Sequence, residues 1–335
     1  MDQQLVNDQA KLPAVLQALY APVRKELDAV EETLQRELHS DYPFVDRLAR
    51  HGFRLGGKRL RPALVLLAGK ASGTLTPAHV DLAAAVELIH TATLVHDDVL
   101  DEAILRRHLD TVNARWDNEA SVLLGDFLFT RAICLSAEVD GSFACRSIGE
   151  AAQTMCEGEL RQIESRGNYE LTEEEYLDII TNKTAALTAC CCRLGSHYAD
   201  AEPEVCEALA RFGRYLGVAF QIADDLLDLL GDEETAGKSL GTDLIKQKAT
   251  LPLIRLLDRA DSSQRDEVIA LLTADGILKR EALHPWLERF DVLPYTREKA
   301  ISYTRLAGEQ LESLPPSEAR DVLKGLTDFV VTRRQ

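Results

Sequence analysis

Over residues 80–99 apolar positions return at helical spacing. Ala83, Val86, Ile89 or His90, Thr93 and Val95 mark the run, and neither glycine nor proline breaks it. This predicts a long buried helix. Similar stretches predict helices over 119–137, 143–163, 173–194, 205–230 and 264–272, joined by short links such as Asp140-Gly141 and Arg166-Gly167-Asn168. Pro62 reads as a proline at a first helical position, and Thr172 as an N-cap with Glu175 three residues on. No alternating strand pattern persists. No seam rich in proline, glycine or serine divides the chain. The expectation is therefore all-α: a peripheral helical segment over 1–40 and a single large helical domain over 41–335. Pro315-Pro316 sets off a last helix ending at Arg333 and Arg334.

Composition sharpens this picture. Of 335 residues, 46% are hydrophobic and only 6% aromatic, with 19 Gly and 11 Pro, a poor match to a barrel or sandwich of many short strands. Lys and Arg number 38 against 55 Asp and Glu, a formal charge of -17, which argues against a general nucleic-acid or anionic-membrane binder. Any anionic ligand must then find locally clustered cations. The seven cysteines, three of them consecutive (Cys190, Cys191, Cys192), form no CxxC pair, which argues against a disulfide framework or structural zinc. The N-terminus has no signal-peptide core, and no window approaches the roughly 18 apolar residues of a membrane span. A cytoplasmic protein with no transmembrane segment is expected.

The chemistry is in the acidic strings. Asp97, Asp98 and Asp101 end the first long apolar run, and helical spacing puts Asp97 and Asp101 side by side with Asp98 on the flank. Like charges held together at a helix C-terminus oppose the macrodipole and call for a cation. Alone, the string reads equally as a solvated acidic helix end. The same spacing recurs at Asp224, Asp225 and Asp228, again inside an apolar helix. Carboxylates embedded in apolar surroundings have to be neutralised, and hard divalent cations do this. Mg²⁺ suits best, because it keeps several waters and bridges a few carboxylates to phosphate oxygens.

If Mg²⁺ carries phosphate, cations should lie near. GGKRLRP at 56–62 supplies three cations in four residues before a helix whose N-terminal amides favour an anion. Arg106-Arg107 follows the first acidic string, Lys183 lies between the two strings, and Lys238, Lys246 and Lys248 follow the second. Each alone is an ordinary surface charge. Together, in a chain this acidic, they point to the handling of a diphosphate, with Mg²⁺ as Lewis acid for a leaving group.

In these motifs the chain resembles the trans-isoprenyl (polyprenyl) diphosphate synthases, with medium- and long-chain members such as octaprenyl synthases nearest. The resemblance rests on GGKRLRP, ELIHTATLVHDDVLDEAILRR, GDFLFTRA, CEGEL, KTAAL, and FQIADDLLD with GKSLGTDLIKQKATLP, in the family's order from about residue 44 onward. It implies an isoprenoid synthase-type fold with a deep central cavity, both aspartate motifs at its mouth, and a homodimer. It implies that Asp97, Asp101 and Asp224 bind Mg²⁺, with Asp98 and Asp228 flanking. Lys58, Arg61, His90 and Arg107 would hold the diphosphate of isopentenyl diphosphate. Arg106, Lys183, Lys238 and Lys248 would contact the allylic prenyl diphosphate, and Thr184 and Gln221 would set oxygen dipoles near its reacting carbon. The reaction implied is ionisation of the allylic ester, attack by the isopentenyl double bond, and proton loss to the departing diphosphate. No side-chain nucleophile is needed.

One departure stands out. After the arginine pair the family has glycine and then often a basic residue two positions on, whereas this chain has His108, Leu109 and Asp110. The loop there is expected to follow a different path. Product length is read from the helix before Asp97. The stripe through Thr93, Ala92 and Ile89 should line the tunnel, and Ile89 lies about 12 Å back at the helical rise. With small residues at 92 and 93, a product of six or more isoprene units is expected over a farnesyl- or geranylgeranyl-length one. A terpene cyclase normally lacks the second acidic motif and the GGKRLRP cations, and a non-catalytic partner subunit typically loses one motif; here both are whole.

Overall fold

The computed structural model describes residues 14–55, 57–139, 141–230, 240–274 and 279–332. Helix follows helix: α1 (Ala14–Leu19), α2 (Arg24–Leu38), α3 (Pro43–Arg54), α4 (Leu60–Ser72) and α5 (Pro77–Leu100) precede a two-stranded hairpin, β1 (Leu105–Arg106) and β2 (Leu109–Asp110). Then come α6 (Val112–Arg115), α7 (Asn118–Glu138), α8 (Phe143–Glu164), α9 (Glu173–Ile180), α10 (Ala186–His197) and α11 (Pro203–Leu230). The series ends with α12 (Thr242–Ile245), α13 (Leu251–Arg259), α14 (Ser262–Thr273), α15 (Lys279–Arg289), α16 (Val292–Gln310) and α17 (Glu318–Thr332). The fold is all-α, as the periodicity predicts. Among the described residues, the hairpin is the only sheet.

Thr172 does cap α9: its hydroxyl accepts from the Glu175 amide while Glu175 reaches back to the Thr172 amide at 2.9 Å. Two expectations need correction. Helix α4 starts at Leu60, so Pro62 is not the first helical residue, but it still lies in the first turn, where no amide needs an intrahelical partner. The single helix expected over 173–194 is broken by a π-helical segment, Thr181–Ala185, between α9 and α10.

The chain divides into two compact units. The first comprises Met1–Gly149, Cys191–Glu207 and Ser313–Leu326. Its centre is α4 and α5. Ala63 to Ala68 and Leu82 to Val86 are almost fully buried, so these helices are enclosed on every side. α5 packs on α7, α4 and α2, and α2 contributes Val30, Leu34 and Leu38 to the interior. By length and composition α5 and α7 could cross a membrane, contrary to the sequence expectation that no window approaches one; about 67% of the α5 window is buried within the protein, against 39% for α7.

The second unit comprises Glu150–Cys190, Ala208–Glu312 and Thr327–Gln335. Its core joins Ile179 and Ile180 of α9, Val218 and Ile222 of α11, Leu251 and Leu256 of α13, Val268 of α14, Leu283 and Leu287 of α15, and Val292 of α16.

His79 in the first unit shows how a polar residue is accommodated in such a core. It is fully buried, takes a hydrogen bond from the Thr76 amide at 3.0 Å on Nδ1, and donates from Nε2 to the Gly195 carbonyl at 2.9 Å. Its ring lies where a Cβ on Gly69 would be, so Gly69 cannot grow a side chain. Burial pushes the His79 pKa below its ordinary 6.5. The unfolded chain therefore binds a proton that the folded one refuses, and stability present above pH 6.5 is lost as pH falls through that value. Urea midpoints measured at pH 7.5 and 5.5 should fall less for His79→Gln than for wild type; equal drops would show that another group governs the acid limb.

Candidate functional site

In the first unit, Lys58, Arg59 and Arg61 stand at the start of α4, with Arg59 in a left-handed conformation (φ 52°) as its N-cap. Arg59 is committed to the protein. Its Nε donates to Glu31 at 2.5 Å, its Nη1 to Glu87 at 2.9 Å, and its guanidinium lies 4.3 Å from the Phe53 ring. Glu87 is almost fully buried on α5, so this ion pair ties the cationic loop to the helix that carries the first acidic string. Arg61 is partly exposed at the same helix end.

Arg107 completes the group. Its guanidinium occupies the space that a Cβ on Gly57 would fill, which is why the glycine of GGKRLRP is needed there. Burial, followed by the neighbouring Arg106, Arg59 and Arg61, lowers the Arg107 pKa. His90 on α5 feels the same field: burial first, then Arg61, Arg107, Arg106 and Arg59, hold its pKa well below 6.5. It is therefore a neutral donor amid cations. Such gathering of positive charge is costly unless an anion offsets it.

The departure at His108 has a structural explanation. Arg107 and His108, with φ of 52° and 62°, form a two-residue turn between β1 and β2, in which Leu105 pairs with Asp110 and Arg106 with Leu109. Two positive φ angles are the signature of a type I′ hairpin, where glycine or asparagine is favoured. The turn is anchored by the Thr111 hydroxyl, which donates to the Ala103 carbonyl at 2.6 Å, and by Asn113, which donates to the same carbonyl at 3.0 Å. Relief of left-handed strain at His108 should outweigh the backbone entropy of glycine, so His108→Gly is expected to stabilise the protein by about 0.5–1 kcal/mol in chemical denaturation. A loss of stability would show that the imidazole itself holds the turn.

The hairpin also folds Arg106 back on the first acidic string. Arg106 Nε and Nη2 both donate to Asp98 Oδ1, at 2.9 and 2.8 Å, and Asp98 is almost fully buried. Thus Asp98, expected to flank a metal, and Arg106, expected on the allylic diphosphate, are paired with each other. Burial raises the Asp98 pKa while the Arg106 hydrogen bond opposes the rise. Asp97 and Asp101 are half-buried at the end of α5, and the Asp101 amide donates to the Asp97 carbonyl at 2.8 Å, so both remain in the last turn.

In the second unit the π-helical segment carries Lys183 and Thr184. Lys183 pairs with Glu159 of the CEGEL string and donates to Gln162 Oε1 at 2.7 Å. Thr184 donates to Gln221 Oε1 at 2.8 Å, Gln221 Nε2 donates to Asp225 Oδ1 at 2.7 Å, and the Tyr176 hydroxyl donates to Asp225 Oδ2 at 2.6 Å. Burial, then the nearby Asp243, raise the Asp225 pKa, while the hydrogen bonds from Tyr176 and Gln221 to its two oxygens oppose the rise. Asp224 is half-buried. Asp228 accepts from the Thr242 hydroxyl at 3.2 Å and the Asp243 amide at 3.3 Å, capping α12, while Lys248 lies 3.6 Å from Asp243. Lys238 lies outside the described residues.

Thus Arg61, Arg106 and Arg107 gather about His90 in the first unit, which also holds Lys58 and Asp97, and Lys183, Thr184, Gln221 and Asp224 belong to the second. Ile89 and Ala92 are buried, and Thr93 is half-buried with its hydroxyl on the His90 carbonyl at 2.8 Å. Sequence analysis placed Arg59 and Asp225 only within their charged clusters and assigned no role to Glu87 or Tyr176. One signal was available: Tyr176 precedes Lys183 by seven residues, two helical turns, on one face. Carboxylates are hard donors suited to Mg²⁺, but among the described residues no three acidic, histidine or cysteine side chains converge as a ready cage. The donor set fits an ion completed by water and phosphate oxygens.

A family model described as polyprenyl synthetase matches residues 42–283. The chain is 37% identical to an all-trans-nonaprenyl-diphosphate synthase (geranyl-diphosphate specific) of Rhodobacter capsulatus, over 95% of this chain and 98% of that one. It is likewise 37% identical to the octaprenyl diphosphate synthase of Escherichia coli, over 92% and 96%. Its fold matches the crystal structure of a polyprenyl synthase from Caulobacter crescentus complexed with calcium and isoprenyl diphosphate, with a TM-score of 0.90 and 34% identity over 96% and 98% of the two chains.

Proposed function

The chain belongs to the polyprenyl synthetase family of prenyltransferases, and from that premise we propose that it condenses isopentenyl diphosphate with an allylic prenyl diphosphate. The product is an all-trans polyprenyl diphosphate of six or more isoprene units. The observation that carries the substrate class is the cationic group about a neutral, buried His90, where Arg61 and Arg107 add to arginines already paired with Glu31, Glu87 and Asp98, in a chain of charge -17.

Lys58, Arg61, His90 and Arg107 hold the diphosphate of isopentenyl diphosphate. His90, kept neutral by burial and then by its cationic neighbours, donates a hydrogen bond without competing for a proton. Asp97 and Asp101, and likewise Asp224, would offer hard oxygens to Mg²⁺, which when bound supplies Lewis-acid stabilisation of the leaving diphosphate. Lys183, Lys238 and Lys248 add positive charge for the same allylic group. Thr184 and Gln221 turn oxygen dipoles toward the carbon on which positive charge develops. The proton lost after attack passes to the departing diphosphate. Calcium in the Caulobacter crescentus structure supports oxygen-rich divalent binding in the fold.

A homodimer is part of this reading. Val122 and Leu123 on α7 are 44% and 66% exposed, on a helix apolar enough to need a covering surface. A cytoplasmic setting is supported by the described cysteines, none of which is joined in a disulfide.

The deciding experiment incubates purified protein with isopentenyl diphosphate and labelled allylic primers, with Mg²⁺ or with excess EDTA, and resolves product lengths. Chains of six or more units with Mg²⁺ and none with EDTA are expected; no elongation of any primer would overturn the reading. In the same assay Ala92→Tyr, with helicity checked by circular dichroism, should shift products to three or four units. An unchanged ladder would show that this face of α5 does not line the tunnel.

A further inference from the structure

We propose that Tyr176 is a positioning residue for the reaction. Acting through Asp225 and Gln221, its hydroxyl fixes the direction of the Thr184 hydroxyl. The inference deepens the reading above and rests on Thr184 facing the allylic substrate.

The hydrogen-bond inventory sets a direction along the chain. Tyr176 O–H donates to Asp225 Oδ2 at 2.6 Å, and the other carboxylate oxygen accepts from Gln221 Nε2 at 2.7 Å. With its amide nitrogen held by Asp225, Gln221 turns its oxygen to Thr184, which donates its single hydroxyl hydrogen there at 2.8 Å. The Thr184 hydrogen is thereby spent inside the protein. What the hydroxyl turns to its other side is lone-pair density, the polarity required beside a carbon that becomes positive. A Thr184 hydroxyl free to rotate would also direct its hydrogen at that carbon in one of its staggered positions, with the wrong sign.

Three features fix this order. Tyr176 is 3% exposed in the core of the second unit and has no water to turn to. Asp225 is held at both oxygens. Thr184 lies in the π-helical segment, whose shifted register carries it to Gln221 on α11. The close approach of Gly217 to the Ala185 backbone, with Ala185 Cα 2.7 Å from where a Cβ would stand, sets the depth at which the segment meets α11.

The test uses Tyr176→Phe, which keeps the ring and removes only the hydroxyl. Expected is a fall of about tenfold in kcat with KM for isopentenyl diphosphate unchanged. In a Thr184→Val background, itself impaired, Tyr176→Phe should cost nothing further, because the group it orients is gone. Amide exchange across residues 181–185 in the ligand-free protein should be faster in Tyr176→Phe. A kcat within twofold of wild type, the full loss repeated in the Thr184→Val background, or unchanged exchange would each overturn the proposal. If the wild-type protein formed no prenyl product, the reading of the site would fail first; exchange alone would then decide, with faster exchange supporting the hydrogen-bond chain and unchanged exchange overturning it.

Discussion

Asp97→Ala and Asp224→Ala are each expected to lower kcat/KM by at least about a thousandfold, ~4 kcal/mol in barrier terms, while leaving the helical fold intact. Both side chains are half-buried within the last two turns of long apolar helices, whereas Asp98 is almost fully buried and paired with Arg106. Each substitution removes a hard oxygen donor and a negative charge that the apo protein must tolerate at a helix end, so melting temperatures should hold or rise. Asp98→Ala should behave differently. It removes the buried carboxylate that holds Arg106, so its defect should appear in stability as well as in turnover. Steady-state kinetics and thermal melts on the three variants, over a range of Mg²⁺ concentrations, check the pattern. Turnover within tenfold of wild type in Asp97→Ala would sink the metal role.

The second large effect separates the two diphosphates. Arg61 belongs to the cationic group about His90 in the first unit, and Lys183 to the π-helical segment of the second. Arg61→Ala should raise KM for isopentenyl diphosphate by about a hundredfold with little change for the allylic primer, in keeping with a lost charge-assisted contact of about 1.5–3 kcal/mol. Lys183→Ala should impair use of the primer and lower kcat, since its charge is needed as the leaving group departs. Both substrates are varied independently in initial-rate measurements. Loss of affinity for one and the same substrate in both variants would defeat the division.

The helices were legible because their apolar stripes are long and unbroken. The expected span 143–163 meets Phe143–Glu164, and 205–230 meets Pro203–Leu230. Helices α13, α15 and α16 escaped because charged residues crowd short apolar runs, and burial within the second unit rather than a sustained local pattern defines them. The π-helical break was invisible for a different reason. Residues 181–185, with two threonines and an asparagine, have modest helical propensity, but propensity does not distinguish a π-helical turn from an α-helical one, and the segment is met by the close approach of Gly158 and Gly217 on other helices. The acidic strings announced clustered negative charge, yet spacing alone did not show what each carboxylate meets in the fold. The partners of Asp98 in Arg106, Asp225 in Tyr176 and Asp228 in Thr242 are set by the hairpin and by the packing of helices. The hairpin at Arg107-His108 carried no glycine or asparagine to announce it.

The glycines against the π-helical segment bear on how variation in this protein is to be interpreted. A methyl group at Gly158 would stand 2.4 Å from the Lys183 amide nitrogen, and one at Gly217 2.7 Å from the Ala185 Cα. Both contacts are with backbone, which cannot swing aside as a side-chain tip does. In a saturation library screened for growth or product, these two positions would score as intolerant as the aspartates, although neither offers an atom to any substrate. A ranking by tolerance would therefore merge two kinds of position, those that touch the reaction and those that keep the helix carrying Lys183 and Thr184 within reach. Abundance measured alongside activity would part them, since Gly158→Ala should deplete the folded protein whereas Asp97→Ala should leave its level unchanged.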